Sequence, residues 1–340
     1  MAKRASSDGG PKLLTHDELR AMQRELAKDL GADLVWGNDV ALELRKLPLG
    51  LATFDAALDG GFAFDRVTVL VGEFSTGKTL LAMLALRAAQ QRGLSVAFID
   101  VEKTWTPQWA AQLGIDPEKV LVLRPRTGEA AFGALIALVR RQVGVVVMDS
   151  LAALSAEAEL APDEDELFEK QFIGVQARLI GRGLRLLEAE NRGTLVICIN
   201  QLRMAVGGYG NPETMPGGKA PSFYAWQLVR VRRGTFIEEG TGDNKRRLGY
   251  HLRIRVEKNK QGAPFKEASI PFYYTGELDE LAGLVELAIE RGVIRAEPPN
   301  YYIGERKLYG RPRLLAAVKD DAALRAEVER GVSAVAEAAF

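Results

Sequence analysis

Eight consecutive residues in the first third of the chain have the spacing of a phosphate-binding loop. The stretch GEFSTGKT matches G-x-x-x-x-G-K-[ST] at every fixed position and comprises Gly72, Glu73, Phe74, Ser75, Thr76, Gly77, Lys78 and Thr79. Glycines let backbone N–H groups approach phosphates closely, and a helix that starts here points its positive end at the same anion. The pattern predicts that Lys78 contacts the β- and γ-phosphates of a nucleotide and that the Thr79 hydroxyl binds Mg²⁺.

Acidic residues follow two later apolar segments. Asp149 ends the strand-like run VVVMD, where its carboxylate could hold Mg²⁺ through water, although acids also cap many strand ends. Glu102 ends FIDVE and is the favoured group to position an attacking water. Asp100 is the alternative, because a regular strand would place it on the same face as Glu102. Trp105 and Trp109 come next; one could stack on a nucleotide base, or both could be packing residues.

A third segment begins as a strand and continues as a long loop. The apolar run Val196–Ile199 leads into Asn200 and Gln201, and a glycine-rich stretch with two prolines follows. A loop of this length in a compact domain is usually functional or disordered. The strand end and the loop together therefore mark a second candidate site.

The elements around these segments alternate between strand and helix patterns from about Leu47 onward. Such alternation predicts an α/β domain with a mostly parallel sheet covered on both faces. LGYHLRIRVEKNK and FKEASIPFYY predict later, antiparallel strands. Before this domain, Thr15 and Glu18 fit a capping box that starts one amphipathic helix. We expect an N-terminal segment at 1–45, a core at 46–276 and a small C-terminal domain at 277–340.

Composition limits the classes of function. The chain of 340 residues has 45 basic and 45 acidic residues, so a polyanion would have to be bound by local patches. The single cysteine, Cys198, allows no internal disulfide, and His16 and His251 are far apart, which makes a zinc site improbable. We find no apolar run long enough for a membrane span and no signal peptide, so we expect a cytoplasmic protein.

From about Gly50 onward, the chain resembles the bacterial-type RecA recombinases, from either the bacterial or a phage-encoded branch. The resemblance rests on five segments in order, GEFSTGKT, FIDVEKTWTPQWAAQLGID, VVVMDSLAAL, INQLRMAVGGYGNPETMPGGKA and EKNKQGAPFK. The asparagine–glutamine strand end followed by GNPET is more specific than the phosphate loop. The resemblance implies a RecA-like P-loop ATPase core with an N-terminal helix segment and a small C-terminal α/β domain, and the cofactors ATP and Mg²⁺.

The resemblance also implies catalytic roles. Gln201 matches a glutamine that senses the γ-phosphate, and Trp109 matches a tyrosine that stacks on adenine. Lys258 and Lys260 match lysines that reach the ATP of the neighbouring subunit, where they act like an arginine finger in trans. Hydrolysis would then require a filament. The N-terminal helix resembles the segment that docks on the next subunit.

Several DNA contacts are implied in the same way. The loop from about Leu202 to Gly218 would contact single-stranded DNA through Arg203, Met204, Ala205, Val206, Gly207, Gly208, Asn211, Glu213, Thr214, Gly217 and Gly218. Arg178 and Arg185 match the first DNA loop, on a segment whose periodicity also predicts an amphipathic helix. The pattern in RVRR and RIR resembles a second site for duplex DNA and includes Arg230, Arg232, Arg233, Arg253 and Arg255; ordinary solvent-facing strand residues are the alternative.

The implied activity is ATP-dependent homologous recombination. We expect a helical homo-oligomer on single-stranded DNA that exchanges strands with homologous duplex DNA, in the cytoplasm, or in the host cytoplasm if the chain is phage-encoded. A hexameric DNA helicase with the same core fold is the alternative, and a regulatory filament that does not hydrolyse ATP is a third class.

Overall fold

The computed structural model describes residues 14–30, 34–39, 43–157, 174–204, 213–240 and 244–337. The chain divides into two compact units, Met1–Arg45 and Lys46–Phe340. The second unit contains both the expected core and the expected C-terminal domain, so a boundary at 276/277 stays a prediction.

The first unit contains helix α1, His16–Leu30. Its start is the expected capping box: the Thr15 amide donates to Glu18 Oε2 at 2.8 Å, and the Glu18 amide donates to Thr15 Oγ1 at 3.3 Å. The rings of His16 and Trp36 lie 4.9 Å apart between centroids. This helix prediction is confirmed.

An eight-stranded sheet forms the centre of the second unit. Its strands are β3 Val67–Gly72, β4 Val96–Asp100, β5 Val120–Leu123, β6 Val145–Asp149, β7 Leu195–Gln201, β10 Gln227–Glu239, β11 Arg246–Asn259 and β12 Glu267–Tyr273. They lie in the order β12-β11-β10-β3-β7-β6-β4-β5. The six strands from β10 to β5 pair in parallel, whereas β11 and β12 add to the edge in antiparallel fashion. The predicted mostly parallel sheet with later antiparallel strands is confirmed.

Helices cover both faces of this sheet. They are α2 Ala52–Ala57, α3 Lys78–Gln91, α4 Pro107–Gln112, α5 Gly128–Arg140, α6 Val175–Glu190 and α7 Ala220–Tyr224. Successive residues of β3 alternate between two cores: Leu70 lies with α3, while Val69 and Val71 lie with α5 and α6. Two short ladders flank the sheet, β1 Lys46–Leu47 with β2 Phe62–Ala63, and β8 Arg203–Met204 with β9 Glu213–Thr214.

The C-terminal part of the second unit has its own apolar core. Three antiparallel strands pack with three helices there: α8 Glu280–Glu290, β13 Ile294–Glu297, β14 Asn300–Ile303, β15 Arg306–Tyr309, α9 Arg311–Asp320 and α10 Ala322–Glu337. Val285, Leu314 and Val328 are fully buried in this core. Within the described stretches of the chain, no helix combines the length and the apolar character that crossing a bilayer requires.

Candidate nucleotide and DNA site

The phosphate loop connects the buried strand β3 to helix α3, as its sequence predicts. Two of its glycines are required by their surroundings. A Cβ atom on Gly72 would lie 2.3 Å from the Val231 carbonyl oxygen, and one on Gly77 would lie 2.6 Å from Leu252 Cδ1. Gly77 also has a φ of +96°, which glycine adopts without steric cost. Strands β10 and β11 therefore press directly against the phosphate loop.

Lys78 is held at the loop rather than in solvent. Its side chain is buried, and Nζ donates to the carbonyls of Gly72 at 3.1 Å and Glu73 at 2.5 Å. Burial lowers the pKa of Lys78, and the nearby acids Asp149 and Glu102 act in the opposite direction. An anion at the loop would supply the counter-charge that this buried ammonium needs.

The side chains predicted to hold a metal lie together. The Thr79 hydroxyl donates to Asp149 Oδ2 at 2.7 Å, and Asp149 is only 2% exposed. Burial raises the pKa of Asp149 to about 6, against the lowering effect of the Thr79 hydrogen bond. The neighbours of Asp149 do not fully compensate its buried charge, and the Thr79 hydroxyl lies beside it. This pair fits Mg²⁺, which binds one or two carboxylates together with phosphates and water.

The structure separates the roles of Asp100 and Glu102. The sequence predicts that Glu102 ends the strand. Strand β4 instead ends at Asp100, and Glu102 lies in the turn that follows. Asp100 is 1% exposed and accepts from the Thr104 amide at 2.8 Å and from Arg124 Nε at 2.9 Å. Its carboxylate therefore holds the turn in place. Glu102 is exposed and accepts hydrogen bonds from the Ser150 hydroxyl and, at 3.3 Å, from Gln201 Nε2. This arrangement favours Glu102 as the group that positions water.

The two tryptophans after this turn have different environments. Trp105 is 7% exposed and packs against Phe98 in the core, with ring centroids 5.1 Å apart. Trp109 is half-buried and meets Phe272 edge-on at 6.4 Å. The Thr106 side chain caps α4 by accepting from the Trp109 amide at 3.4 Å. Trp109 thus stays the candidate for stacking on a base, while Trp105 is a packing residue.

The amide pair at the end of β7 connects the nucleotide site to the long loop. Gln201 bonds to Glu102, and the next amide, Leu202 N, donates to the Gly72 carbonyl at 3.1 Å. Asn200 is fully buried, and its Nδ2 donates to the Pro216 carbonyl at 2.9 Å, where the loop returns. Asn200 therefore ties the far end of the loop to the strand from which the loop starts.

The described ends of this loop form a ladder in which Arg203 pairs with Thr214 and Met204 with Glu213. Arg203 and Thr214 are exposed. Gly217 and Gly218 have φ angles of +89° and +61°. The remaining candidate DNA contacts of the loop lie outside the described residues: Ala205, Val206, Gly207, Gly208 and Asn211.

Glu213 is bound to an arginine of the neighbouring sheet. Arg230 donates to both Glu213 oxygens at 2.7 and 2.6 Å, and its Nε donates to Glu257 at 2.8 Å. The hydrogen bond from Arg230 lowers the pKa of Glu213. This ion pair fixes the base of the loop to β10, and DNA contact by either side chain stays a prediction. A pocket of about 250 Å³ lies beside the pair and reaches Gly72, Thr76 and Leu202.

Other candidate DNA contacts lie on two exposed surfaces. On α6, Arg178 and Arg185 are exposed on the face opposite the buried Ile180 and Leu184, so the amphipathic helix prediction is confirmed. On the β10–β11 pair, exposed Arg232 lies directly opposite exposed Arg253. Arg230, opposite Arg255, is already paired with Glu213 and Glu257, so the arginine face consists of Arg232, Arg233, Arg253 and Arg255. Because like charges opposite one another destabilise a strand pair, this arginine face would gain from a bound polyanion.

The remaining arginines of the second site have local partners. The Arg233 guanidinium lies 5.3 Å from the Phe236 ring, and Arg255 lies 5.2 Å from the Phe265 ring and 3.7 Å from Glu267. Arg233 is exposed, and Arg255 is half-buried with a buried Nε, so both stay candidate DNA contacts.

Lys258 and Lys260 do not contact the phosphate loop of their own subunit. Lys258 Nζ donates to the carbonyls of Ser222 at 2.8 Å and Phe223 at 3.0 Å, at the end of α7. The Lys260 ammonium lies 5.3 Å from the centroid of the Trp226 ring. Their action on a neighbouring subunit, which the resemblance implies, stays a prediction.

Sequence reasoning missed three supporting interactions. The Asp100–Arg124 pair, the Asn200–Pro216 hydrogen bond and the Glu213–Arg230 pair all join residues from different elements. Of these residues, only Asp100 had a sequence signal, because an acidic residue in an apolar strand needs a partner.

The chain is similar to RecA proteins over most of its length. A family model described as RecA N-terminal domain matches residues 17–279. The chain is 36% identical over 332 residues to Protein RecA of Thermus thermophilus, which covers 96% of this chain and 95% of that protein. It is 35% identical over 320 residues to Protein RecA of Kineococcus radiotolerans, covering 92% and 89%, and 35% over 321 residues to that of Francisella tularensis subsp. novicida, covering 92% and 87%. These matches do not favour the helicase alternative.

Proposed function

The chain belongs to the bacterial RecA family of homologous-recombination proteins, and we propose that it forms a helical filament on single-stranded DNA. With ATP and Mg²⁺, this filament pairs its DNA with a homologous duplex and exchanges the strands. One observation carries the proposal: Gln201 bonds to Glu102 in the nucleotide site, and the candidate DNA loop begins at the next residue.

This connection gives the loop a way to respond to nucleotide. The Gln201 amide donates to Glu102 at 3.3 Å, and a γ-phosphate oxygen at the site would compete for the same N–H groups. Turning Gln201 toward the phosphate would pull on Leu202, whose amide is bonded to Gly72 of the phosphate loop. Asn200 and the Glu213–Arg230 pair hold the return of the loop, so its far end stays attached to β7 and β10. The loop therefore binds DNA tightly with ATP and releases it after hydrolysis.

Hydrolysis uses the groups at the same strand ends. Glu102 orients the attacking water and accepts its proton, and Lys78 neutralises charge on the phosphates. Thr79 and Asp149 would hold Mg²⁺, which supplies further neutralisation of the phosphate oxygens. The Asp100–Arg124 pair fixes the turn that carries Glu102.

Lys258 and Lys260 complete the site from the neighbouring subunit. Lys258 lies at the end of β11 and Lys260 just after it, both away from their own phosphate loop, and this position supports the assignment. Turnover then depends on assembly, and assembly depends on DNA. The N-terminal helix is the segment that we expect to dock on the next subunit.

DNA is held through phosphates, and base pairing supplies the sequence specificity. The loop and the exposed arginines of α6 contact the single strand, and the arginine face of β10 and β11 receives the duplex. Binding should therefore weaken steeply with salt and show little sequence preference.

ATP turnover with and without single-stranded DNA tests the coupling through Gln201. Q201A should bind nucleotide normally but lose the stimulation by DNA, because the loop no longer senses the γ-phosphate. Q91A is the matched control, since Gln91 is exposed at the end of α3, and it should behave as the wild type. Full stimulation in Q201A would refute the coupling.

A further inference from the structure

Trp226 lies between α7 and β10, and two cations face its ring. The carbon of the Arg66 guanidinium is 4.6 Å from the ring centroid, and the Lys260 ammonium is 5.3 Å from it. Both distances are within the range of a cation–π interaction, for which tryptophan is the best aromatic partner. Nothing in the proposed catalytic machinery explains a tryptophan at this position.

The backbone on both sides of Trp226 is fixed. Its amide donates to the Val67 carbonyl at 2.8 Å, and its own carbonyl accepts from the Lys260 amide at 3.1 Å. The next residue, Gln227, is fully buried, and its side chain bonds to Gly61 and Ala63. The ring therefore stands on a rigid base beside the backbone of Lys260.

The indole N–H does not account for the residue. Trp226 Nε1 is buried and has no hydrogen-bond partner among the described residues. A buried donor without a partner destabilises the fold, and a leucine here would avoid that cost. The benefit that offsets the cost is the face of the ring, which is electron-rich and meets the two cations.

Lys260 and Lys258 are held in different ways. The Lys258 ammonium donates hydrogen bonds to two carbonyls of α7. The aromatic face attracts the Lys260 ammonium without taking a hydrogen bond from it, and the side chain is exposed. No acceptor among the described residues pairs with the Lys260 ammonium, so its three N–H donors stay available to an anion outside the subunit.

We propose that Trp226 is a positioning residue for Lys260, which it holds in the orientation that reaches the γ-phosphate of a nucleoside triphosphate on the neighbouring subunit. The inference rests on the proposed action of Lys260 in trans. A free lysine side chain loses considerable rotamer freedom when it is fixed at a phosphate. The ring reduces this loss before the subunits meet.

A double-mutant cycle tests the assignment on the full-length protein. The variants are W226L, W226F, K260A and W226L/K260A, and the measurements are kcat and KM for ATP with saturating single-stranded DNA. We expect W226L to lower kcat about threefold to tenfold, the size of a cation–π interaction, with little change in KM or in DNA affinity. W226F should lie between W226L and the wild type, because its ring has a weaker negative face. In the K260A background, W226L should have no further effect.

The outcomes separate this inference from the proposed function. If K260A leaves DNA-stimulated turnover unchanged, the action of Lys260 in trans fails and the inference fails with it. If K260A lowers turnover but W226L has no effect, raises kcat or adds independently, only the role of Trp226 is overturned. Should W226L lose the fold in thermal unfolding, W226F decides: a lower kcat that disappears in W226F/K260A supports the role, and wild-type kcat overturns it.

Discussion

Replacing Asp149 by asparagine should stabilise the protein when no nucleotide or metal is bound. Asp149 is 2% exposed, and its pKa in the folded state is raised from 3.8 to about 6. A carboxyl with a raised pKa is bound more favourably in its neutral form, so its ionisation opposes folding. At roughly 1.4 kcal/mol for each pKa unit, this shift corresponds to about 3 kcal/mol.

The effect should depend on pH in one direction. Below about pH 3, the carboxyl is neutral in both folded and unfolded states and costs nothing. The cost grows as the pH rises from about 3 through the folded pKa of about 6, and above that it is present in full. D149N keeps an oxygen that can accept from Thr79 but carries no charge, so it avoids the cost at every pH.

Urea unfolding of wild type and D149N across this pH range is the assay. We expect D149N to be more stable by about 2–3 kcal/mol at pH 8, and the difference to vanish near pH 3. Mg²⁺ and ATP should reverse the order at pH 8, because only the wild type gains from binding them. A variant that is less stable than the wild type at pH 8 without ligand, or a difference that does not change with pH, would refute this reasoning.

Three further substitutions test other parts of the site. E102Q should lower ATP turnover about a hundredfold or more while nucleotide-dependent DNA binding persists, and turnover near the wild-type rate would remove Glu102 from the mechanism. N200A leaves the Pro216 carbonyl without its donor and should lower the free energy of unfolding by about 1–3 kcal/mol. It should also weaken binding of single-stranded DNA in a fluorescence titration. Unchanged values for both would contradict the proposed attachment of the loop. R232Q/R253Q should weaken duplex binding. It should also reduce the magnitude of the slope of log binding constant against log salt concentration by up to about two, and an unchanged slope would place the duplex elsewhere.

The order of strands and helices was largely readable from the sequence because each element has a strong local pattern. The phosphate loop is one such local pattern. The fixed spacing of Gly72, Gly77 and Lys78 identifies the strand before the loop and the helix after it. The periodicity of α6 likewise separated its buried leucines from exposed Arg178 and Arg185. These features depend on neighbours in sequence.

The supporting interactions were less accessible because they depend on the tertiary fold. A regular strand places Asp100 and Glu102 on one face, but β4 ends at Asp100, and the Arg124 that binds its carboxylate comes from after β5. The resemblance implied a DNA contact at Glu213 but not its ion pair, because the partner Arg230 lies on a different strand, beyond the loop. No local pattern encodes such pairings.

The central claim is tested most directly by formation of joint molecules. A labelled oligonucleotide is incubated with the protein, Mg²⁺ and homologous supercoiled duplex, with ATP and separately with a non-hydrolysable analogue, and a heterologous duplex serves as the control. The proposed coupling predicts joint molecules with both nucleotides, none without nucleotide and none with the heterologous duplex, because pairing needs ATP binding and release needs hydrolysis. Failure to pair homologous DNA with either nucleotide, by protein whose ATP turnover is stimulated by single-stranded DNA, would contradict the assignment as a recombinase that acts by itself.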